Sequence, residues 1–166
     1  MDFELKSLSR TAVPEALERA ERYRLLNEPS QAESICLDVL ALEPANQTAS
    51  IMLLLALTDQ FGSDVSAARA REVLPNIKGE YERAYYAGII HERSARARLK
   101  QASPGACFIA YGEFMEAMRL YEQAQAIRPA SNDDSILRWN TCARTLMRNR
   151  DLRPQPLETF ETVLDD

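Results

Sequence analysis

One pattern occurs twice in this chain and constrains its fold more than any other feature. A small residue is followed four positions later by a bulkier one and twelve positions later by a proline. The first copy places Ala32, Cys36, Val39, Leu40 and Pro44 in that order, and the second places Ala117, Tyr121, Ala124 and Pro129. Spacings of three, four and seven put side chains on one face of an α-helix. The proline ends the unit because it has no backbone donor for another helical turn. A pattern that returns in this way marks like units that pack on one another, none of which can bury its apolar face alone.

The segment before the first copy has its own apolar spacing, with Ala16, Ala20 and Tyr23. Together the two segments resemble the helix pair of a tetratricopeptide repeat. In that family small residues let the helices approach, a larger residue fills the gap, and proline closes the unit. On this phase the first repeat covers residues 13–46. The family period of about 34 residues sets the second at 47–80, with Ser66, Ala70, Val73 and Leu74 in the second-helix slots and Pro75 interrupting early. The third begins at Tyr81, where Ala84, Ala87, Gly88 and His91 fit the first-helix slots. The next small residue is due near Lys100 but comes seventeen positions later, at Ala117. The resemblance implies an all-α right-handed superhelix of antiparallel helix pairs.

Seven helices are expected, near residues 12–27, 31–43, 47–60, 64–74, 79–101, 104–128 and 132–149. Ser30 with Glu33 reads as a capping box, and Asn46 and Ser63 read as N-caps of the third and fourth helices. Ser103-Pro104 reads as the start of the sixth, so the delay lengthens the third hairpin by about two turns per arm, a projection of order 12 Å. It either binds or caps the stack. Residues 1–150 form one domain on this reading. After Asp151, Pro154 and Pro156 interrupt helix and leave residues 151–166 as a tail. Its Leu157, Phe160, Val163 and Leu164 could form a short docking helix.

Composition narrows the function classes. The 166 residues are 46% hydrophobic and 27% charged with five glycines, which suits an ordered helical domain. A net charge of -5 opposes binding to phosphate backbones, so nucleic acid is a poor partner. The longest apolar run, 51–57, is too short to span a bilayer. The first residues lack a basic segment followed by an apolar one, so a cytoplasmic location is expected. Cys36, Cys107 and Cys142 are scattered within apolar helical patterns and read as packed, reduced thiols.

Catalysis needs a nucleophile with a base, an acid and base pair, a metal cluster or a phosphate-cradling loop. None is apparent, and no enzyme, cofactor or metal site is expected. The one histidine, His91, falls on a packing position. Glu15, Glu18 and Glu21 alternate with Arg19, Arg22 and Arg24 as a solvated helix face does. The densest basic stretch holds Arg93, Arg96, Arg98 and Lys100. It suits the C-terminal end of a helix dipole, could attract an acidic peptide or RNA, or could meet the tail acids Glu158, Glu161, Asp165 and Asp166.

In the repeat family the first helix of each pair lines the concave surface that binds extended peptides or helices. Its recurrent positions here hold Leu17, Glu21, Arg24 and Leu25, then Ile51, Met52, Leu55 and Asp59, then Glu82, Tyr85, Tyr86 and Ile89. The Lys and Asn types of the family's carboxylate clamp are absent from these positions. The expected groove is apolar and aromatic, above all along 51–57, where both helix faces are hydrophobic. Such a helix is normally covered on both sides, either by the segment around Phe3, Leu5 and Leu8 or by a second chain. The leading functional expectation is a scaffold or adaptor that binds a protein or peptide there. The alternatives are a self-assembling homodimer and a protein resembling the class II secretion chaperones.

Overall fold

The computed structural model describes residues 3–63 and 65–156. Its seven α-helices are α1 (Val13–Leu25), α2 (Pro29–Leu42), α3 (Gln47–Asp59), α4 (Ala67–Val73), α5 (Glu80–Gln101), α6 (Ala106–Ala126) and α7 (Asp134–Arg148). Three-residue 3-10 turns precede α1 and follow α4. The described residues form no β-strand, and none of their helices is long and apolar enough to cross a membrane.

The caps explain most differences from the expected boundaries. Asn46 caps α3, its Oδ1 accepting from the Ala49 amide at 2.9 Å. The Ser30–Glu33 capping box does not form, because α2 starts at Pro29 and Ser30 is already inside it. Proline suits the first helical turn, where an amide donor would have no partner. Glu33 is thereby free to bind across the fold, to Gln60 at 2.7 Å and Arg69 at 2.5 Å. Ser63 does not cap α4 either. Its hydroxyl donates to the Gln60 carbonyl at 2.6 Å, and the helix begins four residues later, after the extended Ser66. Pro75 sits in the 3-10 turn that closes α4.

Each helix packs on the next in the chain, and α3 also meets α1 and α5. Small residues make these approaches close: Ala20 of α1, Ala32 of α2 and Ala70 of α4 are fully buried in one cluster. Helix α3 touches α1, α2, α4 and α5, which accounts for its apolar character on every side. Leu53, Leu54, Ala56 and Leu57 are buried there, and each leucine contributes about 2 kcal/mol by leaving water. The N-terminal segment is not its cover. Leu8 packs beside Val13 and Val39 in a separate cluster, while Phe3 and Leu5 are exposed.

A second cluster joins α5, α6 and α7 around Phe114, Tyr121 and Cys142, and Leu152 packs into it from beyond α7. Leu55 and Tyr86 touch both clusters, so one core runs through the chain. The arms of the long hairpin have 22 and 21 residues, against 13 and 14 in α1 and α2. Its turn is not the expected Ser103-Pro104 cap. Ala102 and Gly105 both take left-handed backbone angles, with φ 50° and 75°, and α6 begins at Ala106. Ser103 contributes its carbonyl, which accepts from Ala106 at 3.0 Å. The amphipathic pattern of the tail, and its acids Glu158, Glu161, Asp165 and Asp166, lie outside the described residues.

Candidate binding cleft on the odd-numbered helices

Two carboxylates organise the surface that α1, α3, α5 and α7 share. Asp59, the last residue of α3, accepts from Arg24 Nε of α1 at 2.7 Å and from Arg93 of α5. Glu92 of α5 lies deeper, 1% exposed, and accepts from Tyr121 Oη of α6 at 2.8 Å. Arg96 at 3.1 Å and Arg138 of α7 at 3.4 Å also reach it. An isolated carboxylate at that depth would be costly, and these donors offset the loss of water. Their arrangement also fixes where the guanidinium groups point.

Between the two carboxylates opens a cleft of about 310 Å³, with Arg93, Arg96, Lys100, Arg138 and Thr141 on its walls. Phe61 and Ala97 supply apolar wall, and Arg96 lies 5.8 Å from the Phe114 ring centroid. Four cations and two carboxylates line the cleft, which leaves it positive by two in a chain whose formal charge is -5. Lys100 has no carboxylate within 4 Å among the described residues.

The expected binding positions divide into three groups. Arg24 and Asp59 come together, as a pair that also holds Arg93. Glu21 and Leu25 of α1 face solvent, Leu25 at 82% exposure. The apolar positions belong to the core or its edge. Leu17 packs beside Val13, Ile51, Met52 and Leu55 pack around Leu54, and Ile89 is 2% exposed. Tyr85 stacks on Tyr81, with centroids 5.8 Å apart, and meets Tyr86 edge-on. Glu82 folds back over Gly79. The surface on the odd-numbered helices is therefore polar and basic at its cleft, not apolar, because α3 spends its hydrophobic faces on neighbouring helices.

Glu92 and Arg138 are absent from the sequence-based set, and Arg93, Arg96 and Lys100 enter it only as a basic stretch, not as groove positions. The signal was the spacing of Arg93, Arg96 and Lys100, three and four residues apart, which puts three of the four cations of the basic stretch on one helix face. Nothing local in the sequence signals that α7 brings Arg138 to that face.

Other titratable groups lie elsewhere. His91 Nδ1 is 2.6 Å from Glu113 Oε2, and this hydrogen bond holds the Glu113 carboxyl below its ordinary range. Burial pushes the Cys36 and Cys142 thiols up to about 12, and Cys107 is half-buried. Burial, and then the charge of Glu92, raise the Tyr121 phenol well above its ordinary value. Among the described residues no group of three His, Cys, Asp or Glu side chains is placed to hold a metal ion.

No family model matches the sequence, and neither a curated protein nor a solved structure matches it significantly.

Proposed function

We propose that this chain is a non-catalytic, tetratricopeptide-like binding module that holds a segment of another protein along α1, α3, α5 and α7. On this reading the helices wind as a right-handed superhelix of antiparallel pairs, and the odd-numbered helices form its inner face. The observation that carries the reading is a pair of neighbouring ion-pair groups, Arg24–Asp59–Arg93 and Arg96–Glu92–Arg138, through which four helices contribute to one surface. The packing of α3 against α1 and α5 as well as its chain neighbours supports the same winding. The homodimer alternative was motivated by the apolar faces of α3; α1, α2, α4 and α5 pack against that helix and leave Ile51, Met52 and Leu55 half-buried.

Selection from a random peptide display library on the intact protein tests the reading. Thr141 is exposed on the cleft wall, so T141W blocks the cleft whatever the chemistry of its occupant. Peptides that bind the intact chain and fail on T141W are the expected result. A selection that returns no peptides, or only peptides indifferent to T141W, would remove this surface.

A further inference from the structure

The charge arrangement of the cleft narrows what its occupant carries. Arg93, Arg96 and Lys100 rise along one face of α5, and Arg138 faces them from α7. The carboxylates among them are already engaged: Asp59 by two arginines, and Glu92 by two arginines and a phenol. Each guanidinium has five N–H donors and an ammonium has three. The contacts made here use only part of that capacity, so donors remain for a ligand. The lining charge is four cations less two carboxylates, or +2. A single carboxylate would neutralise half of it. A phosphoryl ester carries about -1.5 to -2 and three acceptor oxygens. That matches both the charge and the three cleft cations, Arg96, Lys100 and Arg138, that are not paired with Asp59.

The surroundings favour a phosphoryl group borne on polypeptide over a free ion or a nucleic acid. Asp59 and Arg93 of the cleft pair onward to Arg24 of α1, so a ligand seated on Arg138 has further polar surface across three more helices. At 8 to 10 Å between packed helix axes that is roughly 25 Å, the length of about eight extended residues. The chain as a whole is acidic, at -5, and repels a polyanion that extends beyond the cleft.

We propose that the cleft between α5 and α7 recognises a phosphorylated side chain on a partner protein, with Arg96, Lys100 and Arg138 as its donors. The inference rests on the reading above, that this surface holds a protein segment.

Fluorescence anisotropy on the full chain tests it with labelled nine-residue Gly/Ala peptides. One carries a central phosphoserine, one an unmodified serine, and one two adjacent glutamates. The phosphopeptide is expected to bind at least tenfold tighter than the serine peptide and several-fold tighter than the diglutamate peptide. K100Q, at an exposed residue with no ion pair among the described residues, is expected to weaken phosphopeptide binding about five- to tenfold, and T141W to abolish it. R96Q provides a second charge variant, its fold checked by circular dichroism.

Equal binding of the diglutamate peptide, or no effect of K100Q and R96Q, overturns the proposal. If the serine and phosphoserine peptides bind equally and both fail on T141W, the phosphoryl inference falls while the binding surface stands. If no peptide binds and library selection is also empty, both fall. Displacement of the phosphopeptide by equimolar polyuridylate or inorganic phosphate gives the cleft to nucleic acid or to the free ion, and overturns it. Binding seen only in a chain carrying E158Q, E161Q, D165N and D166N assigns the cleft to this chain's own acidic segment, with the same result.

Discussion

Tyr121 donates its phenolic hydrogen to Glu92 across 2.8 Å, and neither residue is more than 1% exposed. This bond ties α6 to the carboxylate that holds Arg96 and Arg138, so the core and the cleft wall share one polar group. Tyr121→Phe keeps the ring and removes the donor, at an expected cost of about 1–3 kcal/mol. Glu92→Ala takes the acceptor from the buried Tyr121 phenol and the partner from Arg96 and Arg138 at once, so it should cost more than Tyr121→Phe. Urea unfolding of the two variants checks the order, and an E92A chain as stable as Y121F would refute it.

Gly88 makes the other close approach to Tyr121. A Cβ added there would lie 2.5 Å from ring carbon Cε1. Alanine usually favours a helix interior by about 1 kcal/mol over glycine, but overpacking of this kind costs about 1–3 kcal/mol. Gly88→Ala should therefore destabilise the protein. Gly112 of α6 has open space in the same position, and Gly112→Ala should stabilise by up to about 1 kcal/mol. Opposite shifts in thermal midpoint are the expected result.

The His91–Glu113 pair gives stability a dependence on acid. Glu113 is held below the ordinary carboxylate range by the hydrogen bond to His91, with Arg71 and Arg98 adding in the same direction. A group whose folded-state pKa is depressed stabilises the fold above its unfolded value, about 4.3, and loses that contribution as pH falls through the folded value. Glu113→Gln should therefore be less stable than the parent near pH 6, and the difference should shrink below about pH 4. Urea midpoints from pH 3 to 7 measure it. A difference constant with pH would show that the pair contributes packing alone.

Thiol reactivity reports the core. Cys36 and Cys142 are fully buried, with thiols raised to about 12 by burial. A disulfide reagent at pH 8 should modify Cys107 first, and reach the other two only as the chain unfolds. Three thiols reacting at one fast rate in the native protein would contradict the packing of both core clusters.

The helices were legible in the sequence because their information is local. Asn46 caps α3 where its position predicted, Pro75 interrupts the fourth helix, and Ala20, Ala32 and Ala117 lie at buried contacts as their spacing required. The misread starts have a common physical cause. Ser30, Ser63 and Ser103 all have the chemistry of an N-cap, but a cap also requires the extended backbone just before the helix. At Ser30 the preceding proline had already begun the helix, and beyond Ser103 the left-handed Gly105 moved the start to Ala106.

The proposed binding surface was less legible, and for a different reason. Apolar residues at 51–57 fit equally a groove that awaits a partner and a helix enclosed by its neighbours, because periodicity gives the faces of a helix without saying what covers them. The fold assigns those faces to α1, α2, α4 and α5. The sequence showed Arg93, Arg96, Arg98 and Lys100 only as a basic stretch at the end of α5. That Arg24, 35 residues before Asp59, and Arg138, 46 residues after Glu92, reach the same surface was decided only by tertiary packing. Helix periodicity is set within a few turns of chain, whereas the meeting of charges from α1, α3, α5 and α7 depends on how whole helices are seated against one another.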